Sequence, residues 1–341
     1  MGYDVSYHPI DQTFLTDTVL QIVLDRMDPT DTYAEAARVA KNRYIANQWG
    51  LALVGKHNDL FMQNLDEPKG ILSRLFSFLA PEPFTPTPLF ESDLHVWGRP
   101  FLIHVDDSST VSSFIDRYIQ ATPEQVTEIA KDAIQACYPK DADAITVSIE
   151  DEMPSDNDFI EDVSWKLELF KTAVKNLKTG KKVQIPQGEL CDPKELLENH
   201  YQLYTLEFAS IFRPGWMARG YVWPTILLEE AKLDFPLIEP SDVPFRQLEA
   251  ELPSINLRHD KSIRENYMTG GYVSPANVPA FKQFLSDNYR RLIEPAEADD
   301  WGEYCELCLK KIMEALCDAE KRELGFIEAT EVYSGPLGSL C

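Results

Sequence analysis

The alternation of apolar and polar positions lays out a chain of many helices and few strands. Residues 3–10 alternate as a short strand ending at Pro9. Asp11 then stands where a helix cap is wanted, ahead of Phe14, Val19, Ile22 and Val23 on one face, for a helix through about Met27. Asp28-Pro-Thr-Asp31 reads as a turn with a helix start inside it. Residues 34–48 follow a helical pattern that Gly50 is placed to end, while residues 51–54 are too short a run to assign to strand or helix. Residues 71–79 predict a helix. Residues 81–91 carry four prolines, which excludes helix and points to an extended crossing. Residues 94–97 and 101–105 read as strands around Gly98-Arg-Pro100. Ser108 or Ser109 is a cap for a helix through Tyr118, and Thr122-Pro-Glu-Gln opens another that runs to about Cys137.

The second half continues in the same style. Residues 144–149 predict a strand and residues 158–177 a helix, with an acidic lead-in and a lysine-rich end that suit the helix dipole. Residues 194–212 predict a long helix with Leu197, Tyr201, Tyr204, Leu206 and Phe208 available for packing, ended by Arg213-Pro-Gly-Trp216. Residues 219–230 hold Tyr221, Trp223 and an apolar run that belongs in the interior. Residues 231–258 look irregular, with prolines at 236, 240, 244 and 253. The clearest packing unit comes last. Thr269-Gly-Gly-Tyr-Val precedes a helix capped by Ser274 and opened by Pro275, carrying Phe281, Phe284, Leu285, Tyr289 and Leu292. A second helix starts at Asp299 or Asp300, where Trp301, Cys305, Cys308, Ile312, Ala315 and Ala319 recur as an apolar face. Gly325 is a suitable C-cap, and residues 326–333 a strand. The expected class is α+β and helix-rich, with short strands in a small mixed or antiparallel sheet covered by helices. It is divided into an α/β part over 1–150 and a mostly helical part over 151–341, or built as one unit.

Charge changes this picture more than composition does. The chain has 341 residues and a formal net charge of −24. Both halves contribute: 11 basic against 22 acidic side chains over 1–150, and 21 against 34 over 151–341. Such a field repels nucleic acid and anionic membrane and attracts basic partners. No apolar stretch approaches the ~20 residues of a membrane span, and the start shows no secretory signal, so a cytoplasmic protein with reduced cysteines is expected. Met1-Gly-x-x-x-Ser6 matches the myristoylation pattern only formally.

Catalytic signatures are absent. The six histidines form no His-x-x-x-His or His-Glu-x-x-His, and no Gly-x-Ser-x-Gly, P-loop or Gly-x-Gly-x-x-Gly occurs. His57-Asn-Asp59, His104-Val-Asp106 and His259-Asp260 put acids beside imidazoles, a common chance pattern. Asp156-Asn-Asp158 lacks the glycine and closing glutamate of a calcium loop. Cys305-x-x-Cys308 has no second pair at metal-site spacing and lies on an apolar face, where thiols pack as small hydrophobes. No cofactor and no metal are expected. Trp97, Trp216, Trp223 and Trp301 divide between core and interface anchors.

Two segments carry a resemblance. Met1-Gly-Tyr-Asp-Val-Ser-Tyr-His-Pro-Ile10, and Thr269-Gly-Gly-Tyr-Val-Ser-Pro275 with Leu324-Gly-Phe-Ile-Glu-Ala-Thr-Glu-Val332, resemble uncharacterised bacterial proteins. Some of these look like immunity proteins of polymorphic-toxin and type VI secretion systems. The resemblance implies a binding protein, not an enzyme, that neutralises a cognate toxin or its catalytic domain, and it carries over no site residue. The contiguous acids Glu150, Asp151, Glu152, Asp156, Asp158, Glu161 and Asp162 are the expected contacts for a basic protein partner. The competing expectations are a metal-dependent or other hydrolase built on scattered Asp, Glu and His, and a scaffold protein.

Overall fold

The computed structural model describes residues 4–66, 108–137, 139, 145–147, 153–186, 188–219, 222–298, 302–330 and 332. Its centre is an antiparallel sheet of four strands: β1 (Asp4–Ile10), β4 (Trp216–Arg219), β5 (Thr269–Val273) and β6 (Gly325–Thr330), in the order β4-β1-β6-β5. A separate ribbon pairs β2 (Val183–Gln184) with β3 (Leu190–Cys191). In the central sheet Tyr7 lies opposite Trp216 on one side and Glu328 on the other, and His8 lies opposite Ile327. β1 therefore sits between two strands that come from beyond residue 150, and the sheet crosses the boundary expected there.

Both faces of the sheet are covered, because β1 from Val5 to Ile10, β5 and β6 are buried at every position. The Tyr7 face meets the helices of the last third of the chain. Trp216 donates through Nε1 to Glu314 Oε2 at 2.9 Å, and Phe281 packs on Phe326 at 6.3 Å between ring centroids. These helices are α9 (Val278–Asp287), α10 (Tyr289–Ala298) and α11 (Gly302–Lys321). The His8 face meets α2 (Thr30–Asp66) and α6 (Pro193–Phe212). Thr269 Oγ1 donates to Gln202 Oε1 at 3.1 Å, and Arg43 lies near His8. Outside the sheet, α3 (Ser108–Gln120), α4 (Pro123–Cys137) and α5 (Asp156–Leu177) pack around α2, and α7 (Pro224–Glu230) and α8 (Gln247–Glu251) are short. The buried apolar side chains form one cluster, each large one contributing about 1.5–3 kcal/mol relative to exposure.

Local chemistry explains most of the boundaries. Asp11 caps α1, the helical turns of residues 12–23, by accepting from Phe14 N at 3.0 Å. These turns include a π-helical stretch, Leu15–Val19, and end before Met27. Asp28 accepts from Thr30 N at 3.1 Å and begins α2. Gln125 Oε1 accepts from Thr122 N at 2.9 Å at the head of α4. Several expectations are corrected. Gly50 does not end a helix: it is buried inside α2, which continues through residues 51–54 as helix. Residues 145–147 are not in a strand. The expected helix over 275–292 is a 3-10 turn, Pro275–Asn277, followed by α9 and α10 with a break at Asn288, and Ser274 makes no side-chain cap. Gly325 opens β6 instead of closing α11. A side chain there would meet the Tyr272 ring at 2.7 Å, and the residue that turns left-handed after α11 is Glu323, at φ 57°. Residues 71–79, 81–91, 94–97, 101–105, Tyr221 and Trp301 lie outside the described residues.

On α11 the predicted face is observed: Cys305, Cys308, Ile312, Ala315 and Ala319 are all fully buried. Burial pushes the Cys305 thiol up to about 12 and the Cys308 thiol up to about 11. Among the described residues no group of three or more His, Cys, Asp or Glu is arranged to hold a metal ion.

Two glycines give opposite expectations. A Cβ on Gly215 would strike the His8 ring and lie 2.5 Å from the Tyr7 carbonyl oxygen, so Gly215→Ala is expected to cost about 1–3 kcal/mol. Gly55, exposed on α2 with nothing near its Cβ position, should gain about 0.5–1 kcal/mol on Gly55→Ala. Urea unfolding of the two variants checks the signs.

Candidate functional site

The acids singled out in the sequence fall at the start of α5. Ser155 and Asp158 form a reciprocal capping box: Ser155 Oγ accepts from Asp158 N at 3.3 Å, and Asp158 Oδ2 accepts from Ser155 N at 2.8 Å. Asp156 is 2.7 Å from Lys41 Nζ on α2. Both carboxylates thus have work inside the chain. Asp158, Glu161 and Asp162 follow one another at helical spacing, and Trp165 comes one turn later on the same stripe. Glu150, Asp151 and Glu152 lie outside the described residues.

Trp165 leads into an aromatic patch shared by α5 and α6. Its ring lies 6.0 Å edge-on from Tyr204, and His200 stacks on Tyr204 at 5.4 Å. Lys166 Nζ sits 5.2 Å over the Trp165 ring and 4.7 Å over Tyr204, and pairs with Glu207. Burial pushes the Tyr204 hydroxyl up, with Glu207, Cys191 and Tyr267 adding to the shift, and burial pushes the His200 imidazole down. Trp165, His200 and Tyr204 are half-buried, while Leu190 and Tyr267 are each 60% exposed. Tyr267 also holds a left-handed backbone at φ 58°, a conformation that costs a non-glycine residue about 1–2 kcal/mol. The patch thus runs from carboxylates to half-buried rings to the exposed Tyr267.

Of the four tryptophans expected to divide between core and interface, two are described. Trp216 and Trp223 are core residues, 1% and 4% exposed, and Trp97 and Trp301 lie outside the described residues. Of the histidine–acid neighbours, His259 does not use Asp260. Its Nδ1 is 2.7 Å from Asp242 Oδ1, whose other oxygen holds Arg246 Nε at 2.6 Å, while Asp260 takes Arg258 at 3.2 Å.

One buried group was not anticipated. Glu328, 1% exposed on β6, accepts from Thr225 N at 3.2 Å, Thr225 Oγ1 at 2.5 Å and Gly271 N at 3.0 Å. Thr225 Oγ1 is 2.8 Å from Ser262 Oγ, which also receives Trp223 Nε1 at 3.4 Å. This explains Thr269-Gly-Gly-Tyr-Val. A Cβ on Gly270 would fall 2.5 Å from Glu328 Oε1, and one on Gly271 would fall 2.8 Å from Thr225 Cγ2. Burial lifts the Glu328 carboxyl to about 7, against the opposing pull of the Thr225 and Gly271 donors. The cluster joins α7, β5 and β6 from inside.

Because the folded value is raised from 4.5 to about 7, Glu328 supports the fold fully below pH 4.5 and loses that contribution as pH rises through 7. The span corresponds to on the order of 3 kcal/mol. Glu328→Gln should unfold more easily at every pH, since an amide NH₂ faces donors, but without this loss between pH 5 and 8. Urea midpoints across that range check it, and a wild-type slope equal to the variant's would count against a titrating Glu328. No protein-family model, curated protein or solved structure matches the chain.

Proposed function

We propose that the protein is an acidic binding protein of the immunity type, which receives a basic protein partner, a toxin or its catalytic domain, on the face formed by α5, α6 and the loop bearing Tyr267. The observation that carries this reading is the continuity of the Asp158–Glu161–Asp162 stripe with the Trp165–Tyr204–His200 patch and the exposed Tyr267. Interfaces divide labour in this way. Carboxylates steer encounter with a cationic surface and set its salt dependence, while aromatic side chains that become desolvated hold the complex. The net charge of −24 makes any complementary partner basic.

Capture of partners from the native host with the tagged full chain, followed by co-expression with the captured toxin, tests the proposal. A basic partner and restored growth are expected; no partner and no protection would sink it. Two variants locate the surface. Glu161→Lys with Asp162→Lys should slow association about 10-fold and flatten its salt dependence. Tyr267→Gly should weaken binding about 10-fold or more while unfolding no more easily than wild type, because relief of the left-handed tyrosine offsets the lost contacts. Unchanged affinity in both would place the interface elsewhere.

A further inference from the structure

Glu328 stands at the inner end of a chain of hydroxyl groups. Its carboxyl oxygens meet the backbone N–H groups of Thr225 and Gly271 and one hydroxyl, Thr225 Oγ1, at 2.5 Å. Thr225 Oγ1 lies 2.8 Å from Ser262 Oγ, and either atom can be the donor. Ser262 Oγ also receives Trp223 Nε1 at 3.4 Å. The two ends of this chain differ in kind. An indole N–H can only donate, whereas a carboxyl accepts when ionised and donates when protonated. Between them stand two hydroxyls that can do either, so the state of Glu328 decides which way they point.

With Glu328 ionised, Trp223 donates to Ser262, Ser262 to Thr225 and Thr225 to the carboxylate. Ser262 then commits its hydrogen inward and keeps one lone pair unused. With Glu328 protonated, the new O–H needs an acceptor. The two N–H groups cannot serve, and among the hydrogen-bond partners of the carboxyl in the described residues only Thr225 Oγ1 can. Thr225 must then turn its own hydrogen toward Ser262. Ser262 now accepts from both Trp223 and Thr225, and its hydrogen leaves the chain. Every bond survives in both states, and only the direction of the two hydroxyls changes.

We propose that Glu328, Thr225 and Ser262 form a proton-sensing relay, in which ionisation of the buried carboxyl converts Ser262 from a donor into an acceptor at the head of the loop that bears Tyr267. Ser262 is half-buried, so the relay runs from the interior to the edge of the fold. Burial lifts Glu328 to about 7, which places the reversal near neutral pH. Burial and its own three donors set that ionisation, and no charged group among the described residues shifts it. On β1, Tyr7 donates to the Val222 carbonyl and is raised by burial. On β5, Tyr272, near Glu239, is lifted to about 12. On α11, Cys305 and Cys308, with Tyr304 by Cys308, are lifted to about 12 and about 11. Glu229 and Glu230 of α7 are exposed, as are Lys261, Arg264 and Glu265 around Ser262. A cationic partner group reaching Ser262 would meet an acceptor above this pH and a donor below it. That consequence rests on the partner face proposed above; the relay itself does not.

NMR of the full chain between pH 5.5 and pH 8.5 tests the relay without any partner. It follows the Glu328 carboxyl carbon and the Trp223 indole N–H, assigned with Glu328→Gln and Trp223→Phe. The two signals should titrate together with one midpoint. In Ser262→Ala the Glu328 carboxyl should still titrate while the indole response falls about threefold or more, because the hydroxyl that polarises the indole is gone. Thr225→Ser, which keeps the hydroxyl, should respond as wild type does. Both variants retain the buried carboxyl, so the test does not depend on how Glu328→Gln folds. A Glu328 that holds one state across the range, or an indole that does not follow it, would overturn the proposal. So would an indole that responds equally in Ser262→Ala, since the field of the carboxylate alone would then account for it.

Discussion

The structure depends on pairing two strands that lie more than 300 residues apart in sequence. β1 and β6 run antiparallel at the middle of the sheet, from Val5 opposite Thr330 to Ile10 opposite Gly325, and both are buried on both faces. A strand with one wet face leaves half of its side chains free to be polar. A strand covered on both faces has to meet its polar groups from inside the protein; among the described residues His8, with both ring nitrogens buried and unbonded, and the Tyr272 hydroxyl are the exceptions. Ser6 bonds the Ala329 carbonyl, Tyr7 the Val222 carbonyl and Thr269 the Gln202 side chain. Thr330 Oγ1 receives Met268 N, and Glu328 collects Thr225 and Gly271. The Ser6–Ala329 and Gly271–Glu328 bonds tie strand to strand, and the others leave the sheet for a segment far away in sequence, so they fix where α6, α7 and the 262–268 loop sit. Loss of any one leaves a buried polar group unmet, at a cost of about 1–3 kcal/mol.

This use of the interior bears on where function is placed. The Tyr7 hydroxyl, the Cys305 and Cys308 thiols and the indoles of Trp216 and Trp223 face into the sheet or the helices that cover it. Tyr7 bonds the Val222 carbonyl, Trp216 Glu314 and Trp223 Ser262, and burial holds the two thiols in the neutral form. At the surface the balance reverses. Leu190 and Tyr267 are among the few large apolar side chains in the described residues that are more than half exposed, and Tyr267 lies by the Tyr204 patch. Burial of such groups by a partner returns apolar area to shelter without disturbing the sheet.

Local rules made part of this legible in the sequence. Asp11, Asp28, Thr122 and the apolar face of α11 could be read because a cap or a helical stripe is decided within a few residues. Gly50 misled because a glycine with a helical backbone is indistinguishable in sequence from one that ends a helix; packing of α2 against α4 and α5 carries the helix through it. β4 was missed because Trp216–Arg219 has no pattern of its own and becomes a strand only by pairing with β1. The same distance hid the chemistry. Glu328 meets Thr225 across 103 positions. His259 takes Asp242 instead of the adjacent Asp260. Trp165 joins the acidic stripe through its own helix, whereas Tyr204 and Tyr267 join it only through the fold. The acids of α5 were visible, but not that Asp156 and Asp158 are engaged by Lys41 and Ser155.

The two faces of the sheet carry opposite responses to pH. On one face burial, helped by the Arg43 charge, lowers the His8 imidazole from 6.5 to about 3. The unfolded chain therefore takes up a proton that the folded chain refuses, and the His8 contribution to stability is lost as pH falls from 6.5 toward 3. On the other face Glu328 is raised from 4.5 to about 7, and its contribution is lost as pH rises over that interval. Between pH 4.5 and 6.5 the two slopes have opposite sign and offset each other. Below that window only His8 acts, and above it only Glu328, so the pair together favours a plateau with a decline on each side. His8 remains neutral beside Arg43, whose guanidinium burial lowers only to about 10, and this avoids two like charges in one desolvated space. Glu328 has no such neighbour. Its titration at about 7 therefore lies above the plateau, where His8 no longer offsets it, and the decline on the alkaline side belongs to Glu328 alone.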